Sequence, residues 1–186
     1  MDALVMCGGE GNRFESSVEK PLHSIGGKPM IDRVVSAIES SSIETVWAAV
    51  SPTAPNTRSW VKTSGVRTIE TDGNGYVTDL TQAQKTLDLP ILTITADLPL
   101  VTGETIDSIL ETDPEQSLTV CVPVQIKREL GLSIGPSQEY QGREIEPTGI
   151  NIVSSSTGNR IVVRAEQRVA VNVNTRSDAR IAEELL

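Results

Sequence analysis

The chain is poor in aromatic residues, histidine, cysteine and positive charge, and each shortage narrows what it can be. Its 186 residues include two Trp, two Tyr and one Phe. Val, Ile, Leu and Ala must therefore pack the core, and a hydrophobic content of 38% is enough for one at this length. Two cysteines, Cys7 and Cys121, rule out a disulfide scaffold. Both sit in apolar runs and are expected to be small core residues. Lys and Arg total 16 against 25 Asp and Glu, a formal net charge of −9. A general nucleic-acid binder needs a basic stripe to offset phosphate charge, so no nucleic-acid partner is expected, although one local basic pocket for a nucleotide is compatible. No run of about 18 apolar residues is present, so no membrane span is expected. Asp2 and the early glycines do not suit a signal peptide, and a cytoplasmic location is expected. The acidity suits either a salt-rich cytoplasm or an ordinary acidic cytosolic protein. The length predicts a single domain over residues 1–186.

Hydrophobic periodicity supplies the elements. Residues 3–7, ALVMC, form a short continuous apolar run that enters a glycine-rich loop, as a buried strand does. Ile31, Val34, Val35 and Ile38 recur at helical spacing just after Pro29. Strands are predicted at 45–50, 66–71, 90–97, 117–124, 149–154 and 168–173. Further helices are predicted before Gly65 and at 76–88, 104–112 and 176–186, the last with Thr175 or Ser177 able to cap it. Residues 125–146, with Gly131, Gly135, Pro136 and Gly142, suggest an irregular insertion or β-arm. Strand and helix alternate through the first 112 residues. That implies an α/β fold, a three-layer α/β/α sandwich with a mostly parallel mixed sheet. Ligands in such sheets sit at the carboxyl ends of the strands, where the polar motifs fall.

The first motif is CGGEGNRF, Cys7 to Phe14, followed by EKPL, Glu19 to Leu22. Gly8, Gly9 and Gly11 let backbone N–H groups approach a ligand closely, and Arg13 and Lys20 add fixed positive charge. In an acidic chain this concentration points to a polyphosphate site. Phe14 stands where a dinucleotide fingerprint needs its third glycine. Gly27-Lys28 is followed by Pro29 and lacks the earlier glycine of a Walker A loop. Hydride transfer with NAD and P-loop hydrolysis are both disfavoured. A plain strand-to-helix turn with solvated charges is the bland alternative.

GG-x-G-x-R followed by E-K-P-L resembles the opening of the MobA-like nucleotidyltransferases, whose fold is Rossmann-related. The resemblance implies that the glycine loop, including Asn12, wraps a nucleoside triphosphate while Arg13 and Lys20 offset phosphate charge during transfer. TADLPL, 95–100, is similar to the strand-end segment of that group and marks Asp97 as a magnesium ligand. PTGINIVS, 147–154, resembles the segment that closes over the acceptor, which implicates Thr148, Gly149 and Asn151. VNVNTRSDARIAEEL, 171–185, is similar to the terminal N-x-N-T-x-x-D segment, which places Asn174 near the metal, the phosphates or the acceptor side. Asp178 suits a first-turn cap of the last helix. Within the group, TDGNGYVTDL, 71–80, resembles the archaeal CobY family of GTP:adenosylcobinamide-phosphate guanylyltransferases. Residues 52–65 and 125–146 carry no motif. That resemblance implies GTP and adenosylcobinamide-phosphate as partners, Mg²⁺ as cofactor and a homodimer, although no spacing marks a dimer face.

The implied reaction joins GMP to a phosphate monoester and releases pyrophosphate. Such a monoester is largely ionised near neutrality, its second pKa being about 6, so no strong base is required. This fits a chain with a single histidine, His23, which reads as a surface or packing residue. Guanine needs acceptors beside an N–H donor. The Gly73–Gly75 loop can offer backbone groups, and Asp72 or Asp79 can accept; a plain turn with a solvated Asp79 is the alternative. Asp97 reads equally as a turn or capping residue when taken alone. A molybdenum-cofactor guanylyltransferase, a sugar-phosphate nucleotidyltransferase and a non-catalytic GTP-binding module are the competing functions.

Overall fold

The computed structural model describes residues 1–8, 14, 17–112 and 116–186. In chain order the strands are β1 (Asp2–Met6), β2 (Ser24–Ile25), β3 (Lys28–Pro29), β4 (Thr45–Val50), β5 (Arg67–Glu70), β6 (Ile91–Thr95), β7 (Ser117–Pro123), β8 (Gln138–Tyr140), β9 (Arg143–Val153) and β10 (Asn159–Val163). The helices are α1 (Met30–Glu39), α2 (Pro55–Ser64), α3 (Tyr76–Gln84), α4 (Gly103–Leu110), α5 (Val124–Leu130), α6 (Gln167–Ala170) and α7 (Arg176–Glu184), and a 3-10 turn spans Lys20–Leu22.

β1 is the central rail because its side chains are apolar on both faces. Ala3, Val5 and Cys7 pack with α1 residues Ile31, Val34, Val35 and Ile38 on one side. Leu4 and Met6 pack with Ala83 and Leu87, in and just beyond α3, on the other. The two-residue alternation of a strand thus feeds two helix layers. The sheet order is β10-β7-β9-β6-β1-β4-β5, with β8 attached to β9. β1 pairs in parallel with β4 and β6, and β4 with β5. β9 alone runs against both its neighbours, β6 and β7. The expected three-layer, mostly parallel mixed sheet is the architecture found.

Three stretches differ from expectation. Residues 168–173 alternate like a strand, yet the chain is helical to Ala170 and then irregular. Its apolar residues serve two clusters: Val169 and Ala170 enter the main core, while Val171 and Val173 enter a second cluster with α7. Burial against two separate neighbours, rather than sheet pairing, explains that alternation. β10 was not anticipated; it is an edge strand with Asn159 and Arg160 exposed, and so lacks a strong apolar signal. The stretch 125–146 holds α5, ended by Gly131 at φ +74°, and then a hairpin from β8 into β9. Gln141 and Gly142, both at positive φ, form its two-residue turn, the geometry that matches strand twist.

Within that stretch the Lys127 side chain is 1% exposed and forms an ion pair with Glu146 of β9. The second oxygen of Glu146 accepts from Gly135 N at 2.9 Å. The pair ties α5, the following loop and β9 together. Lys127→Ala is expected to lower the unfolding free energy by about 3–5 kcal/mol, because it strands a buried carboxylate. The Lys127→Met/Glu146→Leu double variant should lose much less. Urea denaturation of the three proteins checks both expectations.

Candidate active site

The 3-10 turn at Lys20–Leu22 projects its first residue over the carboxyl end of β6. Lys20 Nζ lies 2.5 Å from Asp97 Oδ2 and 3.0 Å from Asn174 Oδ1. Asn172 Nδ2 donates to the other Asp97 oxygen at 2.7 Å, and Asn174 Nδ2 donates to Asn172 Oδ1. Four side chains from three distant segments therefore close one polar ring. The Lys20 and Asp97 side chains retain 17% and 16% exposure, so the ring is sheltered yet reachable. Val173 N also donates to the Asp97 carbonyl at 2.9 Å, which fixes the two segments side by side.

Each member is held from behind. Glu19 accepts from Asn56 N and from both N and Oγ1 of Thr57, at the start of α2. Burial raises the pKa of Glu19, but these bonds outweigh it and hold the carboxyl below its usual range. The EKPL segment is thereby fastened to a helix N-terminus, where a carboxylate is favoured. Pro21 is buried, and His23 N donates back to Lys20 O at 3.1 Å. The His23 ring stacks edge-on with Phe14 at 4.7 Å, and burial lowers its pKa. On the other side Asp178 is fully buried. It accepts from Asn174 N, Thr175 N, Ser133 N and Ser133 Oγ at 2.7–2.9 Å. With Thr175 it completes a capping box on α7.

A second cluster of glycines and polar side chains lies beyond the ends of β1, β4 and β5. Asp79 is 3% exposed, and its Oδ1 accepts from Gly73 N at 3.0 Å and Asn74 N at 3.2 Å. A Cβ on Gly8 would come within 3.3 Å of Asp79 Oδ2, and one on Gly73 within 3.2 Å of the Ser51 Cβ. The beginning of the glycine loop, Ser51 and the Gly73–Gly75 loop thus converge, with little room for a side chain at Gly8 and a positive φ at Gly73 that favours glycine. Asp79 is not solvated; it shapes the loop. Asp72 is exposed, with its N–H bonded to Gln82 Oε1. Cys7 points into the core, burial pushes its thiol up to about 12, and its N–H donates to Ala49 O at 3.1 Å. Gly9, Gly11, Asn12 and Arg13 lie outside the described residues.

The expected acceptor-side residues divide. Asn151 Nδ2 approaches the Tyr76 hydroxyl and Thr93 Oγ1, each at 3.4 Å. Burial of the Tyr76 hydroxyl raises its pKa, against the hydrogen bonds to Thr93 and Asn151, and the charge of Asp97 adds to the rise. Thr148 is buried, donating to Val120 O at 3.0 Å and accepting from Ile150 N, beside the register shift between β7 and β9. Gly149, at φ +93°, crosses so close to Thr95 that a Cβ would meet Thr95 Oγ1 at 2.3 Å. The sequence reading did not assign Asn172, Tyr76 or Glu19 a role. The N-x-N spacing was the available signal for Asn172, since alternate residues of an extended segment share a face.

Among the described residues no group of three or more His, Cys, Asp or Glu stands close enough to hold a metal. A divalent ion would draw on one carboxylate, carboxamide oxygens, water and phosphate, a set that suits Mg²⁺. Asp97 Oδ2 and Asn174 Oδ1 already cradle a positive charge, the Lys20 ammonium, so these residues fit a hard cation.

Residues 3–167 match the MobA-like NTP transferase domain family. An adenosylcobinamide-phosphate guanylyltransferase of Methanocaldococcus jannaschii is 31% identical over 100% of this chain and 97% of its own length. Two solved structures share the fold at TM-score 0.71. One is a CMP:2-keto-3-deoxy-manno-octonic acid synthetase complexed with CTP, 17% identical over 99% of this chain and 97% of that one. The other is a putative glucose-1-phosphate thymidylyltransferase of Bacillus anthracis, 12% identical over 100% and 94%. No helix among the described residues is long and apolar enough to cross a membrane.

Asp178→Asn should destabilise the protein by about 2–3 kcal/mol at pH 7, since a charged acceptor of four bonds is weakened. Asp178 and Glu19 both titrate lower when folded than their usual 3.8 and 4.5. Their stabilisation is therefore full above the unfolded values and is lost as pH falls through the lower folded ones. Urea midpoints from pH 7 down to pH 3 should fall less steeply for Asp178→Asn than for the parent chain.

Proposed function

Because this chain belongs to the MobA-like NTP transferase domain family, we propose that it transfers GMP from GTP to adenosylcobinamide-phosphate, releasing pyrophosphate, with residues 1–186 acting as one domain. The observation that carries this reading is the Lys20–Asp97–Asn172–Asn174 ring at the carboxyl edge of β6, in a chain similar over its whole length to a guanylyltransferase for that acceptor. A cytoplasmic homodimer is part of the same reading.

The chemistry asks for alignment of two polyanions and for charge neutralisation, with little need of a base. An oxygen of the acceptor phosphate attacks the α-phosphorus of GTP, and the bond to the pyrophosphate oxygen breaks. Lys20 leaves its carboxylate partner for the phosphates, where a compact ammonium is worth most in a sheltered site. Asp97 and Asn174 would hold a divalent cation, Mg²⁺ in this reading, which supplies further neutralisation of the departing pyrophosphate. Asn172 keeps the Asp97 carboxylate aimed throughout. Glu19 and Asp178 act behind them, one holding the lysine turn and the other the Asn174 backbone.

In this reading the base lies beside Gly8 and the Gly73–Gly75 loop. Asp79 shapes that loop through Oδ1, and its Oδ2 faces Gly8. Backbone groups at Gly73 and Gly75 would complete the reading of guanine. Asn151 and Tyr76, whose side chains approach each other at 3.4 Å beside Thr93, are assigned to the acceptor in this reading.

Pyrophosphate release with GTP and Mg²⁺ should occur with adenosylcobinamide-phosphate and stop on adding EDTA. ATP and unphosphorylated adenosylcobinamide should be inactive. Lys20→Ala and Asp97→Asn should each lower kcat/KM by about 100-fold or more. Release with molybdopterin in place of the corrinoid would move the reaction to that acceptor. Tight GTP binding with no release from either would make the protein a binding module.

A further inference from the structure

A second cationic site lies apart from the polar ring. Lys28 of β3, Arg33 of α1 and Arg168 of α6 line one cavity of about 330 Å³, with Ser36, Ser40 and the apolar Leu100 among its walls. That volume is at the small end of the range for small-molecule sites, about 300–1,000 Å³. No Asp or Glu side chain lines it, and the last residue, Leu186, forms part of its wall. Elsewhere Lys20, Arg58, Lys127, Arg128 and Arg164 each pair with a carboxylate. Among the described residues these three cations have no such partner, a state they share with exposed cations such as Arg143 and Arg160; what sets them apart is that they line one cavity. In a chain of net charge −9, three cationic side chains that line one hollow without an ion-pair partner favour the entry of an anion.

Arg33 is prepared for such a ligand. Its Nε donates to Ile25 O at 2.7 Å and one Nη2 hydrogen to Gly26 O at 3.2 Å. The guanidinium is thereby oriented, with three of its five N–H bonds left over. Fixed guanidinium planes beside a mobile ammonium suit tetrahedral phosphate oxygens. None of the ring residues lines the cavity, yet its walls at 99–103 follow directly from Asp97, and Arg168 precedes Asn172.

We propose that this cavity binds a compact, multiply charged phosphate anion at a site separate from the polar ring, and that occupancy braces the two segments carrying Asp97 and Asn172. The inference does not depend on which acceptor the enzyme uses.

The test titrates sodium pyrophosphate in EDTA at low ionic strength into the Lys20→Ala variant, which disables the ring. Amide and arginine side-chain NMR signals locate binding, and calorimetry gives its affinity. Saturable shifts at Arg33 Nε–H and at the amides of Leu100–Gly103 are expected, with one anion per chain. Adding Lys28→Gln and Arg168→Gln, both at exposed positions, should weaken that binding about tenfold or more. Arg143→Gln with Arg160→Gln, exposed cations elsewhere, should leave it unchanged. A matching melting temperature confirms that each variant is folded, and Arg168→Gln alone serves if the combination is not. Absent shifts at the cavity, unchanged affinity without Lys28 and Arg168, or an equal loss in the distant pair would each overturn the proposal.

Discussion

The contact between the Lys20 ammonium and the Asp97 carboxylate is the constraint around which the candidate site is arranged. Its partners are 77 residues apart in sequence, and Asn174 joins from 154 residues beyond Lys20. Such a pair in a sheltered position is favourable only when its remaining hydrogen-bonding capacity is filled. Asn172 and Asn174 fill that capacity through their carboxamides. A phosphate-bearing ligand would exchange those bonds for stronger charge-assisted ones. The ring therefore holds the cation in place before the substrate arrives, and the protein carries the cost of assembling it as part of folding.

Support for that ring comes from carboxylates that face away from it. Glu19 accepts from the first turn of α2, and the Asp178 carboxylate accepts from Asn174 N and Thr175 N at the entry to α7 and from Ser133. Each uses backbone N–H groups that a helix terminus leaves without partners. One interaction thus stabilises the helix and fixes a site segment. The loop after α5, which carries no recognisable motif, is connected in this way through Ser133 and Asp178 to Asn174. The same loop reaches β9 through Gly135 and Glu146. A region without a recognisable motif thus helps to fix where the Asn174 segment lies.

The sequence made much of this legible because short motifs were tied to strand ends. Lys20 in EKPL and Asp97 after the strongest strand were identified, and the structure joins them. Asn172 was overlooked because the alternation of Val169, Val171 and Val173 reads as a strand, and a strand places its polar residues by sheet pairing. The chain is instead a short helix followed by an irregular stretch, and its valines fill two clusters. Asp79 could be read as a base-binding or a solvated residue; burial and two loop N–H donors give it a shaping role. Thr148 looked like an acceptor contact, but its hydroxyl is used inside the sheet beside a register shift that no local pattern announces.

By itself the sequence determined the layers. Apolar runs with two-residue or helical spacing have few ways to bury themselves, and their order from β1 through α4 admits mainly a parallel sheet covered on both faces. It also determined which glycines could admit a ligand to the backbone. The tertiary structure alone decided that residues 20, 97, 172 and 174 share one ring, that Gly8 faces Asp79, and that Lys28, Arg33 and Arg168 surround one cavity. Those relations depend on strand order, on β9 inserting against its neighbours, and on helices crossing at set positions. They are long-range distances, and no local periodicity encodes them.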